Sequence, residues 1–271
     1  MQPSRRRMEE LLWILGLNKA AAPLWELLRG RRAAQQFSLM REFYSSLLPR
    51  GGLVFDIGAN VGTMTRVFAS LGAKVIAVEP NPDCIRHIEL TTDRKTVETL
   101  QAAVGELNGL AILKVSDRKD KMSSLSADWR ETVSKENQSY VGMWKRDLTV
   151  PMTTLDTLIQ RYGLPAYIKI DVEGYEEQVL RGLSQLPSLI SFEFNALFLD
   201  SVLRALNSAI FDGASFNYTL VDPTKFELSK WIDREGIKER MRSRRDGPGL
   251  GDIFARVERQ GRECPLVTLS Q

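Results

Sequence analysis

The sequence predicts an α/β protein built on an open, mostly parallel sheet with helices on both faces. Three observations carry that expectation. Short apolar runs alternate with segments of helical spacing from about residue 53 to residue 257. Three of those runs end in an acid, Asp56, Glu79 and Asp171. The first is followed at once by a turn with two glycines, Gly58 and Gly62, before the next helical segment,.

The elements follow in order. Residues 1–50 read as helical: Leu24, Leu27 and Leu28 share one face of a short segment, and Phe37, Met40, Tyr44 and Leu47 recur at helical spacing,. Pro49, Gly51 and Gly52 stop that helix,. Residues 53–57 form a strand, 61–71 a helix with Met64, Val67, Phe68 and Leu71 on one face, 74–78 a strand and 82–90 a helix. Residues 99–104 and 110–115 are strand candidates. The polar, charge-mixed stretch 116–149 reads as a long irregular segment. Alternation then resumes: helix 154–162, strand 166–170, helix 174–183, strand 189–194, helix 201–211, and strands at 216–221 and 253–257. Arg240, Arg242, Arg244 and Arg245 form a basic cluster before Gly247, Pro248 and Gly249; it reads as a solvated charged helix, with attraction of an anionic substrate such as a phosphorylated glycan or nucleotide sugar as the alternative. The resulting division is a helical extension over 1–50, a main domain over 51–260 and a tail over 261–271. The N-terminal helices are expected to pack on the main domain, with a homodimer through them as the alternative.

Composition narrows the classes. The chain has 271 residues, 43% hydrophobic and 26% charged, which suits a globular protein with a full core. The apolar run from Leu11 to Leu17 is far short of the roughly 20 residues of a membrane span, and Arg5, Arg6 and Arg7 before it only imitate a secretion signal. The expectation is a cytoplasmic protein. A net charge of +3 gives no strong nucleic-acid signal. Two cysteines, Cys84 and Cys264, fit no metal spacing,. A single histidine, His87, excludes a multi-histidine metal centre,.

The strand-end acids carry the chemistry. In open parallel sheets, ligands bind beyond the carboxyl ends of the strands. The loop from Asp56 to Gly62 lacks the Gly-Lys-Ser/Thr of a phosphate cradle, and an acid there repels pyrophosphate. It suits an ammonium. Glu79, one strand later, suits a ribose diol, because a carboxylate accepts two hydroxyl hydrogen bonds. An ammonium, a ribose and no phosphate together describe S-adenosylmethionine. Asp171, at the end of a third strand, is the first choice for a site carboxylate, with Lys169 and Glu173 beside it. Alternation puts Lys169 and Asp171 on one side of their strand, and a lysine next to a carboxylate tunes either group. A structural Lys169–Glu173 ion pair is the alternative.

The segments Val54-Phe55-Asp56-Ile57-Gly58-Ala59-Asn60-Val61-Gly62 and Val78-Glu79-Pro80-Asn81-Pro82 resemble the first two motifs of the FkbM family of S-adenosylmethionine-dependent methyltransferases. Thr154-Leu155-Asp156-Thr157-Leu158 and Ile168-Lys169-Ile170-Asp171-Val172-Glu173-Gly174-Tyr175-Glu176 resemble its most diagnostic stretch. The resemblance covers residues 52–195 well and 196–258 loosely. It implies a class I methyltransferase fold of seven strands with the last antiparallel, and a hydroxyl acceptor on a sugar, glycan or small natural product. It places Asp56, Gly58, Asn60 and Gly62 along the methionine part of the cofactor, Glu79 on the ribose, and Asn81 and Ala103 near the adenine. Ser123 and Ser124 would close over it. Glu193 and Asn195 are read as hydrogen-bonding to substrate or backbone rather than as part of a Mg²⁺ site with Asp171, so no metal is expected. The alternatives are a non-catalytic module of the same fold and an RNA methyltransferase.

Overall fold

The computed structural model describes residues 30–116, 123–136, 141–221, 224–244 and 249–257. The expected helix around Leu24, Leu27 and Leu28, the 261–271 tail, Arg245 and Cys264 lie outside those residues.

Helix α1 (Gly30–Ser45) precedes strand β1 (Leu53–Ile57), α2 (Thr63–Ser70), β2 (Lys74–Val78), α3 (Pro82–Thr91) and β3 (Val97–Leu100). A smaller insertion follows: β4 (Ala103–Val104), β5 (Gly109–Ser116), β6 (Ser123–Ser124), α4 (Ala127–Glu136) and β7 (Trp144–Thr153). The chain then returns through α5 (Leu155–Tyr162), β8 (Tyr167–Ile170), α6 (Glu176–Arg181), β9 (Leu189–Asn195), α7 (Leu199–Leu206), β10 (Ser215–Tyr218), α8 (Arg234–Arg242) and β11 (Leu250–Arg256).

The main sheet has seven strands in the order β10-β11-β9-β8-β1-β2-β3. All neighbours are parallel except β11, which runs antiparallel to both β9 and β10. Alternation along each strand sends the two sets of side chains to opposite faces. Phe55, Ile57, Ile76, Val78, Ile168, Ile170, Ile190 and Phe192 join one core, under α5, α6, α7 and α8. Val54, Val75, Ala77, Tyr167 and Phe254 join the other, under α1, α2 and α3. Met40, Phe43 and Tyr44 of α1 are buried there, and Tyr44 packs edge-on against Phe68 at 5.0 Å. The apolar face of α1 is therefore used within the chain. Among the described residues, no helix is long and apolar enough to cross a membrane.

Two expectations need correction. Residues 99–104 are not one strand: β3 ends at Leu100, and β4 belongs to a second, four-stranded sheet ordered β4-β7-β5-β6. The stretch expected to be irregular supplies α4, β6 and most of β7. Its signal was weak because little of it is buried. Of the α4 side chains only Trp129 is buried, and β7 is largely exposed. The charged helix expected around the arginine cluster is present as α8, which begins earlier, at Arg234, and is capped by Asp233 accepting from the N–H of Gly236 at 2.8 Å. Within the basic cluster, Arg244 donates to the Tyr218 hydroxyl at 2.8 Å and lies over its ring.

Candidate active site

The site forms where β1, β2 and β8 end. The loop after β1 turns sharply, with left-handed φ at Gly58 (77°), Asn60 (47°) and Gly62 (75°). A Cβ on Gly58 would overlap the carbonyl oxygen of Asp171, so only glycine allows the two strand-end loops to meet. The N–H of Gly58 donates to the Val78 carbonyl at 2.9 Å, which ties the loop to the end of β2.

Glu79 sits at that end, 5% exposed. One carboxylate oxygen accepts from the N–H of Asn60 at 2.9 Å and the other from the N–H of Asn81 at 2.8 Å. Each oxygen keeps a further lone pair. Burial pushes this carboxyl up to about 7, against those two hydrogen bonds. Asn81 is fully buried and caps α3, accepting from the N–H of Asp83 at 3.0 Å.

A cleft opens beside Glu79, walled by Gly58, Asn60, Ala102, Ala103, Ser123, Ser124, Asp171 and Glu173. None of its lining residues is Lys or Arg. A phosphate would meet three acidic residues and no lining cation, whereas a ligand bringing hydroxyl donors or positive charge meets acceptors. The residues therefore fit the nucleoside and amino-acid parts of S-adenosylmethionine.

Asp56 stands elsewhere. It is not among the residues lining the cleft. It is buried, and its carboxylate accepts from the Thr65 hydroxyl. Burial raises its pKa, with Lys169 and Thr65 opposing. Gly62 begins α2, and a Cβ there would press on Ile88. His87 lies on α3, half-buried, away from the cleft.

The loop after β8 is the second wall. Lys169 is 4% exposed and donates to Asp171 at 2.7 Å, with Asp252 at 3.9 Å. Burial opposes its charge, but Asp171, Asp252 and Asp56 more than offset this and hold the ammonium well above its ordinary pKa. The ion partner of Lys169 is thus Asp171, not Glu173. Glu173 has φ 55°, an uncommon conformation for a non-glycine residue,. Two clamps hold the loop. The Ser124 hydroxyl donates to the Glu173 carbonyl at 2.8 Å. Glu176 accepts from the N–H groups of Val172 and Gly174 at 3.1 and 3.2 Å. These bonds oppose the burial that pushes the Glu176 carboxyl up to about 7. Gly174 leaves room for Trp129, whose ring a Cβ would overlap.

Sequence reasoning did not assign roles to Thr65, Glu176 or Trp129. Glu176 lies inside the diagnostic stretch, four residues beyond the backbone N–H of Val172 that it binds; Thr65 and Trp129 carry no local signal. Among the described residues, no group of three or more His, Cys, Asp or Glu side chains is arranged to hold a metal.

Comparison with known proteins gives the family. The methyltransferase FkbM domain family matches residues 56–211, which include the cleft. Hexuronic acid methyltransferase AglP from Haloferax volcanii is 28% identical over 144 residues, 52% of this chain and 53% of the relative. Ribosomal RNA large subunit methyltransferase E from Archaeoglobus fulgidus is 28% identical over 119 residues, 44% of this chain and 52% of the relative. The chain thus aligns with about half the length of these curated relatives. Among solved structures, the precorrin-6Y C5,15-methyltransferase of Geobacter metallireducens has a TM-score of 0.39 at 13% identity, covering 83% of this chain and 87% of that one. The plantazolicin methyltransferase BpumL has a TM-score of 0.39 at 11% identity, covering 92% and 93%. At those scores the structural likenesses carry no weight for substrate or mechanism.

Proposed function

We propose, from the premise that this chain belongs to the FkbM methyltransferase family, that it transfers a methyl group from S-adenosylmethionine to a hydroxyl of a sugar, glycan or small natural product. The observation that carries the reading is Glu79, held by two backbone N–H groups with its remaining lone pairs at the cleft. The printed activity of the relative AglP, on a hexuronic acid, supports a sugar as the acceptor class, and the carboxylate of that sugar belongs to the relative's substrate alone.

Glu79 takes the ribose hydroxyls. Gly58, Asn60 and Gly62 shape the loop along the methionine portion, and Ala103 and Ser124 line the opposite wall. Asp56 acts from behind the loop, through Thr65 of α2 and through its charge. Asn81 acts by capping α3 and by donating its N–H to Glu79.

Bound there, S-adenosylmethionine supplies an already activated methyl on a positively charged sulfur. The chain's work is to align the acceptor oxygen, exclude water and remove a proton. The acceptor oxygen forms the new bond to the methyl carbon as the bond to sulfur breaks, and its proton passes to a carboxylate. Asp171 is that carboxylate: it lines the cleft and is oriented by Lys169 at 2.7 Å. Lys169, buried behind it, is a positioning residue. Glu173 shapes the wall through its backbone and adds negative charge.

The test is S-adenosylhomocysteine binding by calorimetry, then methyl transfer to hydroxylated acceptors. Asp171→Asn should leave cofactor affinity intact and lower kcat by about 10²–10⁴-fold. An unchanged kcat would remove Asp171 from the chemistry. Failure of the wild-type chain to bind S-adenosylhomocysteine would remove the methyl donor altogether.

A further inference from the structure

Beyond the 171–174 loop lies a second cavity, of about 410 Å³, between α4, α6, α7 and the end of β9. Ser124 lines the cleft and Ser126 the cavity; Glu173 lines the cleft and Gly174 the cavity. The two spaces therefore lie against adjacent residues of the same two segments, 124–126 and 173–174. The cavity has an apolar side formed by Phe192, Leu199, Val202 and Ala205.

Its polar wall is acidic, and most of those acids have partners. Glu177 accepts from Arg181 at 2.8 Å and from Arg204 at 2.9 Å. Arg204 is the basic side chain lining the cavity, so its charge is already engaged. Glu176 accepts from two backbone N–H groups. Asp171, in the cleft, has Lys169. Glu193 differs: it lines the cavity near the end of β9, and among the described residues no side chain or N–H donates to its carboxylate. Burial holds that carboxyl well above the ordinary range, and Asp171, Glu173 and Glu176 add to the effect, with Lys169 opposing. That is the behaviour of a carboxyl that lacks a counter-charge and is driven toward its neutral form until a cation joins it.

We propose that this cavity is the acceptor pocket and that it takes a polyhydroxylated ligand carrying an ammonium group, which binds Glu193. The assignment rests on the methyl-transfer reading above and specifies its substrate class. The ammonium supplies the donor that Glu193 lacks, in a charge-assisted hydrogen bond, and offsets the mutual repulsion of Glu193, Glu176, Glu173 and Asp171. Hydroxyls meet the remaining carboxylate lone pairs, and the carbon face of the ligand meets the apolar side. A carboxylated sugar brings a further negative charge to the same wall and is rejected by it.

The test uses three methyl glycosides that differ only in charge: the glucosaminide, the glucoside and the glucuronide. Each is titrated by calorimetry, near neutral pH, into the full chain saturated with S-adenosylhomocysteine. The glucosaminide should bind about tenfold or more tightly than the glucoside, and the glucuronide should show no saturable binding. Glu193→Gln should bring the glucosaminide to the level of the glucoside and leave S-adenosylhomocysteine affinity unchanged. The charge series on the wild-type chain needs no variant, so it stands even if that substitution destabilises the fold. With S-adenosylhomocysteine bound, the proposal is overturned by a glucuronide that binds as well as the glucosaminide, by no saturable binding of any glycoside, or by a preference that survives Glu193→Gln. Absence of S-adenosylhomocysteine binding instead brings down the donor reading, and the pocket's assignment with it.

Discussion

Replacing Glu79 with glutamine sets two effects of known sign against each other. In the native state its carboxyl is pushed from the ordinary 4.5 to about 7, so the folded chain holds a proton that the unfolded chain releases between those values. Stability therefore falls as pH rises through this window, by about 2–3 kcal/mol from pH 5 to pH 8 for this group alone. Glutamine does not titrate, so the variant escapes that loss. It has its own cost. The Asn60 and Asn81 N–H groups each need an oxygen, and an amide offers one oxygen and one NH₂. One buried N–H is left facing another donor, at about 1–3 kcal/mol. Near pH 5 the variant should be the less stable protein. Near pH 8 the two should be equal, or the variant ahead. Urea unfolding of both proteins at both pH values checks this, because every other titrating group cancels in the comparison. Calorimetry on the same samples adds the functional half. Ribose hydroxyls donating to Glu79 favour its charged form, so wild-type affinity for S-adenosylhomocysteine should rise with pH up to about 7, while the variant binds weakly at every pH. A Glu79→Gln destabilisation equal at both pH values would refute the account of Glu79 as a buried carboxylate that gives up stability for binding.

Gly58→Ala should destabilise the chain by several kcal/mol, to the order of ~3 or more, and abolish S-adenosylhomocysteine binding, because the new methyl overlaps the Asp171 carbonyl at a left-handed φ,; thermal unfolding followed by circular dichroism measures it. Lys169→Met should cost about 3 kcal/mol, since it leaves Asp171 and Asp252 without their cation,. The raised pKa of Lys169 means that wild type keeps this advantage in full from neutral pH up to about the ordinary lysine value of 10.5 and loses it progressively as pH rises from there through the raised native value,. Unfolding curves at neutral and strongly alkaline pH should show the gap close.

The legible parts of the fold were those whose side chains are buried on both faces of the sheet or along one face of a helix. Strands β1, β2, β8 and β9 are almost wholly apolar and buried, and their positions follow from composition alone. The second sheet covers only a small core of Ala103, Leu113, Val115 and Val150. It leaves Leu110 and Ile112 more than 60% exposed, so its strands carry no clean alternation. The site was legible wherever chemistry and backbone geometry coincide in one residue, as at Gly58, Glu79 and Asp171. It was illegible where a residue acts from a distant element. Ser124 bonds to Glu173 across 49 positions, and nothing in either neighbourhood marks that meeting.

The expectation that Asp56 meets the ligand alongside the other strand-end acids shows what local pattern omits. Asp56 pairs in register with Ala77 on one side and Lys169 on the other, and Lys169 with Ser191. Residues in register project to the same face, here the one that α1 and α2 cover. Asp56, Lys169 and Ser191 thus form a buried polar row, joined by Tyr167 on the Ser191 hydroxyl at 2.6 Å. One row further along the strands end, and Glu79 and Asp171 line the cleft while Glu193 lines the second cavity. The buried row contains a single ammonium, whose field is shared among Asp56, Asp171 and Asp252. It cannot also neutralise Glu79 and Glu193. The ligand edge of the sheet is left with more negative than positive charge, although the whole chain carries +3. A surface so arranged selects for hydrogen-bond donors and cations and against phosphate. The same imbalance that fits a sulfonium nucleoside in the first space therefore argues for a cationic acceptor in the second, and both preferences should weaken together in any variant that adds a positive charge to the loop between them.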